Sequence, residues 1–227
     1  MYELMLDTAN LAELEAGLSA WPVCGVTTNP SILKKEGKVD LYAHLAKIKA
    51  LCGPTRSLHV QVVAEETNAI IEEAHHILDR LGRDTFIKIP VSAAGLPAIK
   101  ALAAEGVKIT ATAIYSTMQG ILAVLAGAHY IAVYYNRMEN NCTEPEQAIQ
   151  ELRAFIDGSD SDALILAASF KNVAQVTRAY AAGAQSATIG PDVIRSALGM
   201  ASIDGAVLGF KRDFESVWGE DQTMHTR

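Results

Sequence analysis

Thr85-Phe86-Ile87-Lys88-Ile89-Pro90 places one lysine in the middle of a short apolar run. Six residues are too few for a helix, and the β-branched and aromatic content favours a buried strand. Desolvating an ammonium is costly, so lysine is seldom fully buried without a reason. In an apolar barrel or pocket the charged form is disfavoured and the amine's pKa falls toward neutrality. Such an amine is a nucleophile that can form a Schiff base with a carbonyl. The alternative is an edge-strand lysine whose head reaches water along its alkyl stem. The rest of the chain decides between the two.

Working outward, short apolar runs alternate with helical patterns almost from end to end. Strands are expected at Tyr2 to Leu6, Val23 to Thr27, Leu58 to Val63, around Lys88, Val107 to Thr112, Tyr130 to Tyr134, Ala163 to Ala167 and Ser186 to Ile189. Helices are expected from Leu11 to Leu18, Leu41 to Leu51, Thr67 to Leu81, Leu96 to Glu105, Ser116 to Ala126, Glu144 to Asp157, Val173 to Ala182 and Val193 to Leu198. Asn136 to Thr143 reads as a polar loop. An added amphipathic helix follows from Ile203 to Val217, and residues 219–227 read as a polar, mobile tail. Eight strands, each followed by a helix, predict a closed parallel (β/α)8 TIM barrel of class α/β, one domain over residues 1–227. An open doubly wound sheet is the alternative, but it wants a glycine-rich phosphate loop after an early strand, and the chain has none.

The 227 residues suit one such barrel, and 50% hydrophobic content supplies its core. The net charge of −7, without long like-charge runs, argues against a nucleic-acid partner. No apolar run approaches the ~20 residues that span a bilayer, so no membrane partner is expected. Met1-Tyr2-Glu3-Leu4 enters a strand pattern without a basic leader, and Cys24, Cys52 and Cys142 are scattered and odd in number. Both features fit a cytoplasmic protein with reduced thiols. No Cys/His cluster has metal-ligand spacing, and His75-His76 reads as helix surface.

In a barrel of this kind the chemistry sits at the C-terminal ends of the strands. Those ends carry Asp7, then Thr27, Thr28 and Asn29, Gln61, Lys88, Thr110 and Thr112, Tyr134 with Arg137 beyond it, and Ser169 with Lys171 beyond it. Singly, Asp7 and Ser169 also fit helix N-caps, and Tyr134 also fits a core tyrosine with a satisfied hydroxyl. Together on one rim around a buried lysine they describe a division of labour. Lys88 attacks a ketone and becomes an iminium, an electron sink. Cleavage of the adjacent carbon–carbon bond then needs a base, which Asp7 supplies, or Tyr134 through a water held by Gln61 and Thr112. Arg137, Ser169 and Lys171 lie on neighbouring strand exits and suit a phosphate at the far end of the substrate.

Leu6-Asp7-Thr8-Ala9, Gly25-Val26-Thr27-Thr28-Asn29-Pro30-Ser31, Ile87-Lys88-Ile89-Pro90, Thr112-Ala113-Ile114-Tyr115, Tyr134-Tyr135-Asn136-Arg137 and Ala167-Ala168-Ser169-Phe170-Lys171 resemble the small transaldolase-like family of class I aldolases. The likeness covers nearly the whole chain. It implies a (β/α)8 barrel that uses no metal and no organic cofactor, with Lys88 as the Schiff-base residue. It implies that Asp7 and Asn29, with Thr28 beside them, orient a dihydroxyacetone unit. Gln61, Thr112 and Tyr134 would hold the catalytic water, Tyr134 serving as acid and base. Arg137, Ser169 and Lys171 would bind the phosphate of the aldehyde half. The resemblance also implies a homo-oligomer, pentamers pairing into decamers, with the last helix reaching onto a neighbour.

Two positions divide the family. Transaldolases carry Glu where Gln61 stands and Phe where Tyr134 stands, so this chain resembles the aldolase branch. That branch cleaves fructose 6-phosphate reversibly to dihydroxyacetone and glyceraldehyde 3-phosphate. The alternatives are transfer of the dihydroxyacetone unit between sugar phosphates, and a catalytically silent barrel that only binds sugar phosphates. Val133, Tyr135, the Met138 to Thr143 segment and Gly190-Pro191 depart from the family's usual pattern, all toward the acceptor end.

Overall fold

The computed structural model describes residues 2–226; Met1 and Arg227, which the leader and tail expectations touch, lie outside the described residues. Eight parallel strands close into one barrel in sequence order: β1 (Glu3–Asp7), β2 (Gly25–Thr27), β3 (Ser57–Gln61), β4 (Phe86–Pro90), β5 (Ile109–Ile114), β6 (Tyr130–Val133), β7 (Leu164–Ala167) and β8 (Ser186–Ile189). Strand β8 pairs with β1 and seals the ring. The helices are α1 (Leu11–Ala20), α2 (Pro30–Leu33) with a 3-10 turn after it (Lys34–Glu36), α3 (Leu41–Cys52), α4 (Thr67–Leu81), α5 (Gly95–Ala104) and α6 (Thr117–Leu125). Then come α7 (Tyr135–Asn140), α8 (Pro145–Asp157), α9 (Val173–Ala181), α10 (Pro191–Leu198) and α11 (Ala201–Trp218).

Strand alternation sorts the residues into two shells. Outward positions such as Leu6, Val26, Leu58, Val60, Ile87, Ile89, Ile131 and Ile165 are buried with the inner faces of the helices in one large apolar cluster. Inward positions fill the barrel differently. Met5, Tyr130 and Leu166 form a separate small cluster with Phe86. Below them the Glu3 carboxylate accepts hydrogens from Tyr130 Oη (2.8 Å) and Ser186 Oγ (2.6 Å). His59 stacks on Phe86 at 4.5 Å and bonds Thr110 and Ser57 through its two ring nitrogens. This polar and aromatic packing closes the barrel floor, so the inner polar residues above it face only the C-terminal mouth.

The boundaries correct three expectations. Asn136 to Thr143 is not a loop along its length: residues through Asn140 form α7, because Tyr135 and Met138, three apart, are both buried on one face. Tyr135 Oη also donates to Glu146 at 2.6 Å, tying α7 to α8. Strand β5 runs on to Ile114 through a register shift, with Ala113 at a φ of 57°. Helix α5 starts at Gly95, not Leu96. A Cβ at Gly95 would lie 2.0 Å from the Pro90 carbonyl oxygen, so no larger residue lets the chain turn so tightly off β4.

Candidate active site

Strands β1, β4 and β8 and the turns after β1, β2, β6, β7 and β8 place polar groups around one cavity of about 660 Å³ at the mouth of the barrel. Its wall includes Asp7, Asn29, Lys88, Tyr134, Arg137, Ser169 and Lys171. Thr28, Gln61 and Thr112 are not part of that wall; they stand behind it.

Lys88 is central to β4, in register with Gln61 on one side and Thr110 on the other. Its side chain is 4% exposed, and Nζ donates to the Thr28 carbonyl at 2.9 Å. Burial pulls its pKa below the ordinary lysine value, and the nearby Asp7 carboxylate opposes that shift. Asp7 shows the reciprocal behaviour. Burial raises its carboxyl, while Lys88, the Thr27 hydrogen bond and Lys35 lower it. Thr27 Oγ1 donates to Asp7 Oδ1 at 2.6 Å and lies 2.6 Å from Thr188 Oγ1. A hydroxyl has one hydrogen, so Thr188 is the donor to Thr27 and the chain of bonds points at the carboxylate.

Neither Asp7 nor Ser169 caps a helix. Asn10 caps α1 through the Glu13 amide (3.1 Å), and Asn172 caps α9 through the Gln175 amide (3.0 Å). Asp7 and Ser169 are thereby left to the cavity. Ser169 sits at a φ of 64°, a left-handed conformation that disfavours side chains. Asn29 does cap: its Oδ1 accepts from the Ile32 amide at 3.0 Å, which fixes the side chain and leaves the Nδ2 hydrogens for the cavity. Thr28 is fully buried and its hydroxyl donates to the His59 carbonyl (3.1 Å), so what it offers the site is the carbonyl that receives Lys88.

On the opposite side, Thr112 Oγ1 donates to Tyr134 Oη at 3.0 Å. The phenol accepts that hydrogen and keeps its own for the cavity. Burial raises the Tyr134 pKa, with the Thr112 bond and the Arg137 charge acting against it. Gln61 Oε1 is buried with no hydrogen-bond partner among the described residues, at the position of β3 in register with Lys88. Arg137 lines the cavity with its guanidinium 4.7 Å from the Tyr134 ring centre, and Lys171 lines it beside Ser169.

The site also contains residues that sequence reasoning did not single out. Thr188 orients Asp7 through Thr27, itself one of the expected rim residues, and His59 forms the floor below Lys88. Alternation would have found His59, which lies two residues before Gln61 on the same face of β3. His59 is fully buried, and burial together with Lys88 keeps its pKa well below the usual histidine value, so the ring is neutral. Among the described residues no single helix is long and apolar enough to cross a membrane.

A model of the family described as Transaldolase/Fructose-6-phosphate aldolase matches residues 4–224. The chain is similar to a protein of Streptococcus pneumoniae named "Probable fructose-6-phosphate aldolase". The two are 50% identical over 212 residues, covering 93% of this chain and 96% of the relative. With its eight-stranded barrel and a match along nearly its whole length, this chain belongs to the transaldolase/fructose-6-phosphate aldolase family.

Proposed function

We propose that the protein is a class I aldolase, a lyase, that cleaves fructose 6-phosphate reversibly to dihydroxyacetone and glyceraldehyde 3-phosphate. The observation that carries this is Lys88: an amine 4% exposed, depressed in pKa by burial, opening onto a cavity whose wall also bears Asp7, Tyr134 and Arg137. Lys88 Nζ adds to the ketone carbon and water leaves, giving an iminium. Asn29 Nδ2 and Asp7 hold the hydroxyls flanking that carbon. A base takes the proton from the hydroxyl on the far carbon of the bond that breaks, that C–O becomes the aldehyde carbonyl, and the electron pair of the breaking carbon–carbon bond flows into the iminium. The aldehyde departs and an enamine remains. Tyr134, through a water held by Gln61 and Thr112, serves as base in cleavage and as acid when the enamine carbon is protonated. Hydrolysis of the iminium then frees dihydroxyacetone and Lys88. Arg137, Ser169 and Lys171 bind the phosphate of the aldehyde half, Arg137 with the fork geometry that suits it.

Tyr134 favours aldol cleavage over transfer. A transaldolase must preserve its enamine until an acceptor arrives, whereas a phenol with a free proton discharges it. We further propose one barrel domain that works as a cytoplasmic homo-oligomer, a pentamer or decamer. Helix α11 supports the assembly: none of its residues is buried, and Val207, Phe210 and Val217 are each more than half exposed. The test is glyceraldehyde 3-phosphate release from fructose 6-phosphate in a coupled assay, with and without erythrose 4-phosphate. Release without acceptor is the expected result. Release only with acceptor makes the protein a transaldolase, and release in neither case refutes both.

A further inference from the structure

The irregularity in β5 changes what stands at the cavity rim. Regular alternation would carry Thr110, Thr112 and Ile114 all to the barrel interior. The register shift between Ala111 and Ile114, with Ala113 in the left-handed region, reverses the parity after Thr112. Ile114 instead packs in the outer apolar cluster, fully buried and paired with Val133. Tyr115 is thereby turned toward Tyr134, ring centroids 5.5 Å apart and edge-on at 72°. Tyr115 Oη accepts a hydrogen from Arg137 Nη1 at 3.1 Å. The same guanidinium lies 4.7 Å from the centre of the Tyr134 ring. A guanidinium has five N–H donors and Tyr115 takes one, so the others remain available to an anion in the cavity that Arg137 lines.

We propose that Tyr115 is a positioning residue that couples binding of the substrate's anionic end to proton transfer at Tyr134, by locking the anion-binding Arg137 over the Tyr134 ring. This rests on the assignment of Arg137 to the phosphate of a sugar phosphate. The groups facing the Tyr134 phenol are Thr112 from β5, Arg137 from α7, Asp7 from β1 and Tyr115 from the turn after β5. Of these, Arg137 alone is a cation, and it favours the phenolate. A phosphate dianion on the outer edge of Arg137 cancels that charge and adds its own, so the phenol holds its proton more firmly. A phosphorylated aldehyde adding to the enamine therefore meets a protonated acid. In the addition direction the enamine carbon bonds to the carbonyl carbon of the phosphorylated aldehyde, the forming alkoxide takes the Tyr134 proton and the iminium at Lys88 is restored; in cleavage the phenolate takes that proton back from the substrate hydroxyl. Without the phosphate the same phenol is more acidic, and its acid form is lost at lower pH.

Protein labelled throughout with fluorotyrosine reports each phenol's titration by fluorine NMR, and the Tyr134 signal is the one absent from Tyr134→Phe. Titrations are compared in inorganic phosphate and in chloride at equal ionic strength. In the wild type, phosphate should raise the Tyr134 midpoint by about one pH unit, the size expected for opposed charges a few ångströms apart near a surface. In Tyr115→Phe, which keeps the ring but frees the guanidinium, the shift should fall to less than a third of that. In Arg137→Gln it should vanish. An unmoved midpoint in the wild type, an equal shift in Tyr115→Phe, or a shift that persists in Arg137→Gln each overturns the coupling. The probe is inorganic phosphate, so the outcome does not depend on turnover; failure of the aldolase reading would show separately, as no aldehyde release in the coupled assay.

Discussion

At the scale of single residues the site is governed by two charges of opposite sign, the buried Lys88 and the half-buried Asp7. Each is pushed toward neutrality by desolvation and pulled back by the other. The sign of a substitution follows. Asp7 raises the Lys88 pKa, so Asp7→Asn should lower it further and keep the amine neutral to more acid pH. The acid limb of borohydride-trappable imine formation with dihydroxyacetone should move down by about one unit. Movement upward would show that Asp7 acts on Lys88 by some route other than charge. Lys88→Met should abolish that trapping altogether; label retained in the variant would assign the imine to another lysine. Tyr134→Phe should reduce aldol cleavage by about 10²-fold or more while leaving or raising transfer to erythrose 4-phosphate. Equal loss of both activities would remove Tyr134 from the discharge step.

At the scale of elements, the capping pattern separates polar residues that hold a helix start from those left to the cavity. Asn172 holds the start of α9, whereas Ser169, three residues earlier, has no such bond and lines the cavity. Asn172→Ala should therefore cost about 1 kcal/mol in urea unfolding. Ser169→Gly should leave stability unchanged or slightly raised, because glycine accepts the left-handed backbone at that position. Its effect should appear instead as a raised KM for phosphorylated aldehydes over unphosphorylated ones. A destabilised Ser169→Gly with normal KM would reverse the two roles. Sequence reading could not distinguish these residues, since Ser, Asp and Asn are all good caps and the choice depends on where the first helical turn falls. The same limit applies to β5. Nothing in Thr112-Ala113-Ile114-Tyr115 announces an alanine in the left-handed region, and alternation alone would put Ile114 inside and leave Tyr115 away from Arg137.

At the scale of the whole molecule, α11 is long, amphipathic and without a buried residue in the single chain. An exposed apolar face of this kind is a contact surface in waiting. If α11 builds the proposed homo-oligomer, Phe210→Glu should shift it to smaller species in light scattering, with the far-ultraviolet spectrum of the barrel unchanged. An unaltered mass in the variant would exclude α11 from the interface.

The sequence by itself determined the barrel and the lysine buried within it. Eight short apolar runs with helical patterns between them admit few topologies, and a lysine inside one run carries its own desolvation cost wherever the strand sits. It also named the rim, because strand order alone brings the C-terminal ends together. Only the tertiary structure decided which rim groups open onto the cavity and which are tied up behind it. Thr28 turns its hydroxyl to the His59 carbonyl and gives Lys88 a carbonyl instead. Thr188 and His59 join the site from positions that read as ordinary strand residues. Local sequence fixes periodicity and chain turns. The partner of a buried hydroxyl depends on the register and curvature of strands far apart in the chain, as the pairing of Thr27 with Thr188 across the barrel seam illustrates.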